Sequence, residues 1–495
     1  MFPYLTVLVA LPAAGALALR LLPAGARTRA RQIALGVAGL ELAIAAVMAL
    51  QFARDDAGAF QFAETYAWIP QIGASWALGV NGLGLLMVLL AAILTPLVML
   101  AGWKEDTDPE QQAKYFSLIL LTLTFMVGIF AARDVFLFYV LFEAMLIPLY
   151  FMIGLFGGEQ RRYAAVKFLL FSLFGGLVML VAVVALYFAG PGGEQAFLTD
   201  NLTGLELGVT AERLMFLGFF LAFAIKAPMV PVHTWLPTVA QTARPGTTAL
   251  LVAVMDKVST FGMLTLSIAL FPAASVWAAP VIIPIAALSV IYGAMLAIGQ
   301  KDMLRLVSYT SISHFGIMVL GIFALQQTAV EGASLYMFNH GLSTGALFLL
   351  VGFLIARTGS ANVNDYGGLQ KVAPVFAGMF LVVGLSALAL PGLSPFISEI
   401  MVLVGAFEVA RAAVIVSTLG VVLAAIYILL TYQRVFAGPT RAGLEKLKEL
   451  SPRERWVIAP LITLMLLLGF LPGLAIDVLQ APTENSLDHV AEVSK

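Results

Sequence analysis

Fourteen apolar runs, each long enough to cross a bilayer, follow one another along this chain of 495 residues. They cover approximately residues 2–22, 32–52, 82–103, 115–132, 134–156, 164–189, 213–237, 247–271, 278–299, 303–325, 331–356, 374–409, 413–436 and 456–479. In hydrocarbon every backbone N–H and C=O needs an internal partner, which leaves α-helices or closed β-barrels, and runs of this length suit helices. The predicted fold is an all-α polytopic membrane protein of about 14 helices. Composition agrees: 61% of residues are hydrophobic and 11% charged, far below the roughly 25% charged of soluble domains. A net charge of −1 offers nothing to a nucleic acid, and the absence of cysteine excludes disulfides, thiolate-held zinc and cysteine-ligated iron–sulfur clusters. The opening MFPYLTVLVALPAAGALALRLL has no basic region ahead of its apolar stretch and reads as a retained first helix, not a cleaved signal.

Basic residues orient the helices, because cytoplasmic loops carry the excess of Lys and Arg. With fourteen spans, 20 of the 27 basic residues fall on one side, among them Arg27, Arg29, Arg31, Arg161, Arg162, Arg244, Lys301, Arg305, Arg357 and Arg453. The other side holds 5 (Arg54, Arg133, Arg213, Arg411 and Lys495), and Lys226 and Lys257 remain inside the membrane. Both termini are thereby expected outside, with the long loops 53–81 and 190–212. The whole reads as a single membrane domain with no linker. Loop 438–453 (GPTRAGLEKLKELSPR) is expected to form a short cytoplasmic amphipathic helix ending at Pro452. Between helices 4 and 5 a very tight turn is expected at Arg133–Asp134.

Two segments cannot be straight. The seventh contains AFAIKAPMVPVHTWLP, residues 222–237, with Lys226 and three prolines inside an apolar run. Pro228 and Pro231 lack the N–H groups that would bond the carbonyls of Ala224 and Ala227, so the helix is expected to break beside the lysine and leave bare carbonyls there. A lysine in hydrocarbon costs about 2.5–3.5 kcal/mol unless it faces protein or water. Either this is a proline-kinked helix whose lysine snorkels to an interface, or it is an ion-handling site. The twelfth segment is too long for one span and reads ALPGLSPF in its middle, a second break. Broken helices at corresponding places in two halves point to an inverted-repeat transporter. Helices 4–8 (within residues 111–271) and 9–13 (within 278–436) each make five spans with the break in the fourth, and an odd number of spans inverts the second copy. Residues 1–110 then supply three N-terminal helices, and 437–495 the amphipathic loop and the last helix.

Four ionisable residues lie at spanning depth: Glu143 in the fifth segment, Lys226, Lys257 in the eighth, and Glu399 just past the second break. Any one alone is as well explained by structural pairing as by transport. Four together, two of them beside breaks, point to a row of groups that can hand on a proton or a change of charge, since burial disfavours the charged form and an opposite charge favours it. His314 in SYTSISHFG and His340 in FNHGLSTGALFL are candidate relays, with Ser311, Ser313, Asn339 and Ser343 around them; a helical histidine also serves simply to pack. His233, after the first break, is a candidate for an access path. Asp256, next to Lys257, points to another helix face and is left without a role, a surface or access residue. There is no glycine-rich dinucleotide loop, no phosphate-binding loop and no sign of a flavin or haem site, so any redox chemistry driving the chain belongs to another subunit.

Taken together, LFEAMLIPLYFMIG, AFAIKAPMVPVHTWLP, SYTSISHFG, FNHGLSTGALFL and LALPGLSPFISE resemble the antiporter-like subunits of respiratory complex I, over roughly residues 80–435. Within that family the chain is most similar to the M branch, which carries glutamate where the L and N branches usually have lysine; here that residue is Glu399. The chain also stops soon after its last predicted helix, without the long lateral helix of the L branch. The resemblance implies a coupled Glu143–Lys226 pair, a central Lys257 and a terminal Glu399, in a proton-translocating subunit of NADH-quinone oxidoreductase in the bacterial plasma (inner) membrane. It also implies L-type and N-type antiporter-like neighbours and small membrane subunits, with NADH, FMN, iron–sulfur clusters and quinone all on partner subunits and no cofactor in this chain. One stretch departs from the pattern: after WLP the family's usual histidine is missing, and Thr238 to Pro245 follow instead. Two other readings compete, a subunit of a multisubunit Mrp-type cation/proton antiporter and a non-transporting scaffold. Glu399 disfavours the first, and a charged axis that a scaffold would not need disfavours the second.

Overall fold

A computed structural model describes residues 2–493. The chain is a helix bundle: α1 (Tyr4–Leu21), α2 (Ala30–Gln51), α3 (Gly82–Ala101), α4 (Pro109–Ala131), α5 (Val135–Ala144), α6 (Leu146–Phe156), α7 (Arg161–Ala189), the single turn α8 (Thr199–Leu202), α9 (Val209–Lys226) and α10 (Trp235–Thr242). Then come α11 (Pro245–Leu250), α12 (Lys257–Gly262), α13 (Pro272–Gly299), α14 (Met303–Phe323), α15 (Gln327–Thr358), α16 (Pro374–Ala387), α17 (Ser394–Ala406), α18 (Arg411–Phe436), α19 (Pro452–Phe470) and α20 (Gly473–Val493). Among the described residues eleven helices are long and apolar enough to cross a membrane, or twelve if the bent pair α19–α20 is one span. In that reckoning α5 with α6, and α11 with α12, each form a continuous span, whereas α16 and α17 are short apolar helices.

The long α15 is the centre of the bundle. It packs against α14, α17, α11, α3, α16, α19 and α20. The residues of α14 are buried except Arg305, whereas α2, α7 and α18 show large apolar side chains such as Leu50, Val181, Phe188 and Val422 at the surface. An outward apolar face of that extent suits lipid, and the polar side chains turn inward, opposite to a soluble protein.

The turn between α4 and α5 is as tight as expected. Asp134 caps α5 by accepting the Leu137 N–H at 2.9 Å, and Arg133 pairs with Asp200. Loop 53–81, however, is not simply loop. It folds into an antiparallel hairpin, β1 (Gln61–Ile69) with β2 (Ala74–Val80), turned at Gly73 in the left-handed conformation. Among the bonds that fasten the hairpin, Ser75 N–H donates to Asp134 Oδ2 at 2.8 Å, and Glu64 accepts the Leu5 N–H at the start of α1 at 2.9 Å. Residues 82–101 then start on Asn81, whose side chain accepts the Gly84 N–H.

Two expectations for the C-terminal region fail. Loop 438–453 is not an amphipathic helix. Gly438 and Gly443 are left-handed there, which a regular helix does not allow, and the polar groups of the loop are committed elsewhere. Arg357, at the end of α15, donates to the carbonyls of Lys448 and Glu449 and forks onto Glu454 at 2.6 and 2.9 Å, while Glu449 caps α16 by accepting the Val375 and Phe376 N–H groups. Secondly, the last predicted segment, 456–479, is not one helix. The chain bends by 72° between Phe470 and Gly473, where Pro472 cannot continue α19, and α20 leaves at that angle to lie against α15, α3 and α13.

Arg357 thus joins three helix ends in a largely buried ion pair. Removing one partner of such a pair leaves the other charge uncompensated, at a cost of about 3–5 kcal/mol. Arg357→Ala is expected to lower the thermal midpoint of the purified protein and to speed limited proteolysis within residues 437–450; unchanged cleavage there would contradict the tie.

Candidate functional site

Lys226 is the last residue of α9, and the chain between α9 and α10 runs without helix to Trp235. Of the two carbonyls expected to be bare, Ala224 O has found another partner, and so has its neighbour Ile225 O. Met229 N–H reaches back to Ala224 O at 3.0 Å, and the Trp235 indole donates to Ile225 O at 2.8 Å. Val230 N–H is held by Ser289 Oγ on α13 at 3.0 Å. Proline removes the regular partner of Ala224 O, but the chain folds back over the helix end and supplies another, as irregular backbone at membrane depth requires. Lys226 is fully buried; its ammonium donates to Phe142 O at 3.1 Å and sits 3.6 Å from the centroid of the Phe142 ring. A desolvated cation over an aromatic face gains about 2 kcal/mol.

Glu143, the residue after Phe142, interacts electrostatically with Lys226 but forms no ion pair within 4 Å with it, and its Oε1 is buried without a hydrogen-bond partner. The carboxylate points instead at Gly176 of α7, where a β-carbon would stand 1.8 Å from Oε1. The resemblance implied a coupled pair; in the structure the two charges are neighbours, not a closed salt bridge.

Lys257 opens α12, between two π-helical turns, Leu251–Met255 and Met263–Ile268. Each π turn holds more residues than an α turn, so the faces beyond it are rotated from α-helical expectation. The Lys257 ammonium folds back onto Val252 O at 2.8 Å, lies 4.5 Å from the Phe315 ring centroid, and meets His340 Nδ1 at 2.7 Å. From His340 the polar contacts continue along one face of α15. Thr344 Oγ1 lies 3.0 Å from His340 Nε2, and Tyr336 is one turn away on the other side. Tyr336 OH donates to Glu399 Oε2 at 3.1 Å. His314 of α14 stands edge-on to His340, with ring centroids 5.1 Å apart, and faces Tyr427 OH of α18 at 3.5 Å, long for a hydrogen bond.

Glu399 follows the second break. Here α16 ends at Ala387 and α17 starts at Ser394, with Ala389 and Gly392 at φ of 57° and 93° between them. Asn339 of α15 ties the break down, donating to Ser394 O at 3.0 Å and to Ser398 Oγ at 2.7 Å. Beside Glu399 a mostly apolar groove of 530 Å³ runs between α17 and α18.

The structure therefore brings Lys257, His340, His314 and Glu399 into one buried cluster, with Lys226 and Glu143 at its near end. His233 is not part of it: it lies in the loop after α9, edge-on to Tyr292 of α13 at 5.2 Å. Ser311, Ser313 and Ser343 spend their hydroxyls on backbone carbonyls, and of the four polar neighbours expected around the histidines Asn339 alone reaches across to α17. Asp256 is not a surface residue but fully buried. Tyr336, Thr344 and Tyr427 were missed. The first two were readable, since 336, 340 and 344 recur every four residues on one helix face. Among the described residues no group of three or more His, Asp or Glu is placed to hold a metal ion.

Tyr336 OH is a donor to Glu399, so Tyr336→Phe is expected to shift the carboxyl infrared band of isotope-labelled Glu399, while Tyr427→Phe leaves it in place. An unmoved band in Tyr336→Phe would show that the bond does not form.

Residues 132–426 match the family model described as NADH:quinone oxidoreductase/Mrp antiporter, transmembrane. The chain is 44% identical to NADH-quinone oxidoreductase subunit M of Mycobacterium tuberculosis over 99% of its own length and 95% of the relative's. Its fold superposes with a TM-score of 0.88 on a chain of respiratory complex I from Thermus thermophilus, at 33% identity and covering 97% of this chain and 99% of that one. A chain of the Mrp complex from Dietzia sp. gives a TM-score of 0.87 at 20% identity, over 100% and 99% of the two chains, a likeness of fold alone. The chain belongs to the antiporter-like membrane subunits of NADH-quinone oxidoreductase, in the subunit M branch.

Proposed function

We propose that this chain moves protons across the membrane along a row formed by Glu143, Lys226, Lys257, His340, His314, Tyr336 and Glu399. The observation that carries the reading is the direct contact of Lys257 with His340 and of Tyr336 with Glu399, on the same face of α15. Lysine, imidazole, phenol and carboxyl each bind and release a proton, and each sits where protein has replaced water, so the charge on one changes the stability of the charge on the next. The Lys226 end is held by Phe142 and by the neighbouring charge of Glu143; the far end opens onto the groove between α17 and α18. His233, beside Lys167 and Tyr292, is assigned to an access path and not to the row.

In this reading α9 with α10 and α16 with α17 are two interrupted spans, giving fourteen in all. The segments within 111–271 and 278–436 are then inverted repeats, each with its break in the fourth span. The terminal residues face the periplasm, and the membrane is the bacterial plasma membrane. The energy comes from quinone reduction on partner subunits that hold NADH, FMN, the iron–sulfur clusters and the quinone, and the flanks pack against L-type, N-type and small membrane subunits. Glu399 and the subunit M relatives favour this over a free-standing cation/proton antiporter of the Mrp type.

Lys226→Ala removes the cation next to Glu143 while leaving the break intact. In inverted membrane vesicles the assembled Lys226→Ala complex is expected to lose proton pumping and to show lowered quinone reductase activity. A normal proton-to-electron ratio in that variant would overturn the proposal.

A further inference from the structure

Asp256 is a buried acid for which the row above has no use. It is fully buried, and both carboxylate oxygens lack a hydrogen-bond partner, although burying such a group unsatisfied is costly. It stands where the first π turn gives way to α12, immediately before Lys257. That stretch packs against α9, which carries Lys226, and against α4, α14 and α15. The approach to α9 is close: a β-carbon at Gly262 would stand 2.4 Å from the Phe223 ring, one turn before Lys226. Charges make the placement specific. Lys226 interacts electrostatically with both Glu143 and Asp256, and the carboxylate that acts on Lys257 is again Asp256. Both lysines, then, feel one carboxyl, which is closed into an ion pair within 4 Å with neither. Two ammonium groups in a low-dielectric interior repel, and a carboxylate between them relieves that repulsion and offers a place for a proton in transit.

We infer that Asp256 is a proton-carrying group that joins Lys226 to Lys257. The transfer balances simply. The Lys226 ammonium gives its proton to the Asp256 carboxylate, leaving a neutral amine and a neutral acid. The acid then gives that proton to the Lys257 amine, leaving a carboxylate and a new ammonium ready to act on His340. One proton moves two places and the net charge of the three groups is unchanged. The oxygens that have no fixed partner are free to take these roles in turn, which a carboxylate locked by hydrogen bonds could not do. The inference rests on the proposed proton row, and its test is arranged to fail separately from it.

Asp256→Asn keeps the shape and loses no hydrogen bond, while removing both the charge and the proton-accepting oxygen; Asp256→Glu restores them. In the assembled complex in inverted vesicles, Asp256→Asn is expected to lose pumping as Lys226→Ala does, and Asp256→Glu to recover part of it. Wild-type pumping by Asp256→Asn alongside a defective Lys226→Ala would overturn the role of Asp256 and leave the row standing. Wild-type pumping by both would overturn the row. Should Asp256→Asn fail to assemble, the wild-type complex with isotope-labelled aspartate decides: a carboxyl infrared band that changes between rest and turnover, and is absent from Asp256→Glu, supports proton carriage, and a band that stays constant refutes it.

Discussion

Everything in this bundle turns on the cost of holding two ammonium groups away from water. Lys226 and Lys257 have no exposure to solvent, and an isolated charge in such surroundings would unfold the site or lose its proton. The protein instead surrounds each with partial charges. Lys226 receives a carbonyl and an aromatic face from Phe142; Lys257 receives the Val252 carbonyl, the Phe315 face and the His340 nitrogen. Neither Lys226 nor Lys257 is closed into an ion pair within 4 Å of a carboxylate among the described residues. Weak, replaceable partners suit the changing protonation that the proposed row requires, whereas a tight salt bridge would fix it.

The backbone is irregular where those partners are needed. The prolines of the α9–α10 loop end a helix at Lys226, and Met229 N–H and the Trp235 indole take up the Ala224 and Ile225 carbonyls. The π turns around Lys257 alter helical register within a continuous span, and the Ala387–Ser394 break is tied by Asn339 to the same α15 that carries His340. Irregular backbone at this depth survives because protein covers it. The long α15 is the support on which Tyr336, His340 and Thr344 are aligned, so that one helix spaces imidazole and phenol where the lysine of α12 and the carboxyl of α17 meet them.

Composition and hydropathy made the membrane-bundle class plain, and Pro228, Pro231, Pro391 and Pro395 marked both breaks, because proline acts on its own helix. The ionisable residues stood out for a similar reason, each being costly where it lies. Less local features were hidden. The π turns leave no mark in an apolar sequence, so nothing in VAVMDKVSTFG told that Asp256 would be turned inward. Tyr336 looked like one more large buried residue until α17 was packed against it. The predicted amphipathic helix at 438–453 had the right periodicity, but the Arg357 and Glu449 contacts, made over long sequence separations, decided otherwise. The hairpin 61–80 is not legible because β1 is largely exposed and the partners that hold β2, Ala132 and Arg133, lie about 55 residues further along the chain.

The central claim is that the buried groups form one connected route, with Lys257 at its middle. Lys257→Met keeps the length and apolar bulk of the side chain and removes the ammonium between Asp256 and His340. The decisive measurement is the proton-to-electron ratio of the assembled Lys257→Met complex in sealed inverted vesicles, with assembly checked on a native gel. The account predicts a ratio below that of the wild type, with the redox subunits still able to reduce quinone. A wild-type ratio would show that protons do not pass through the middle of this chain.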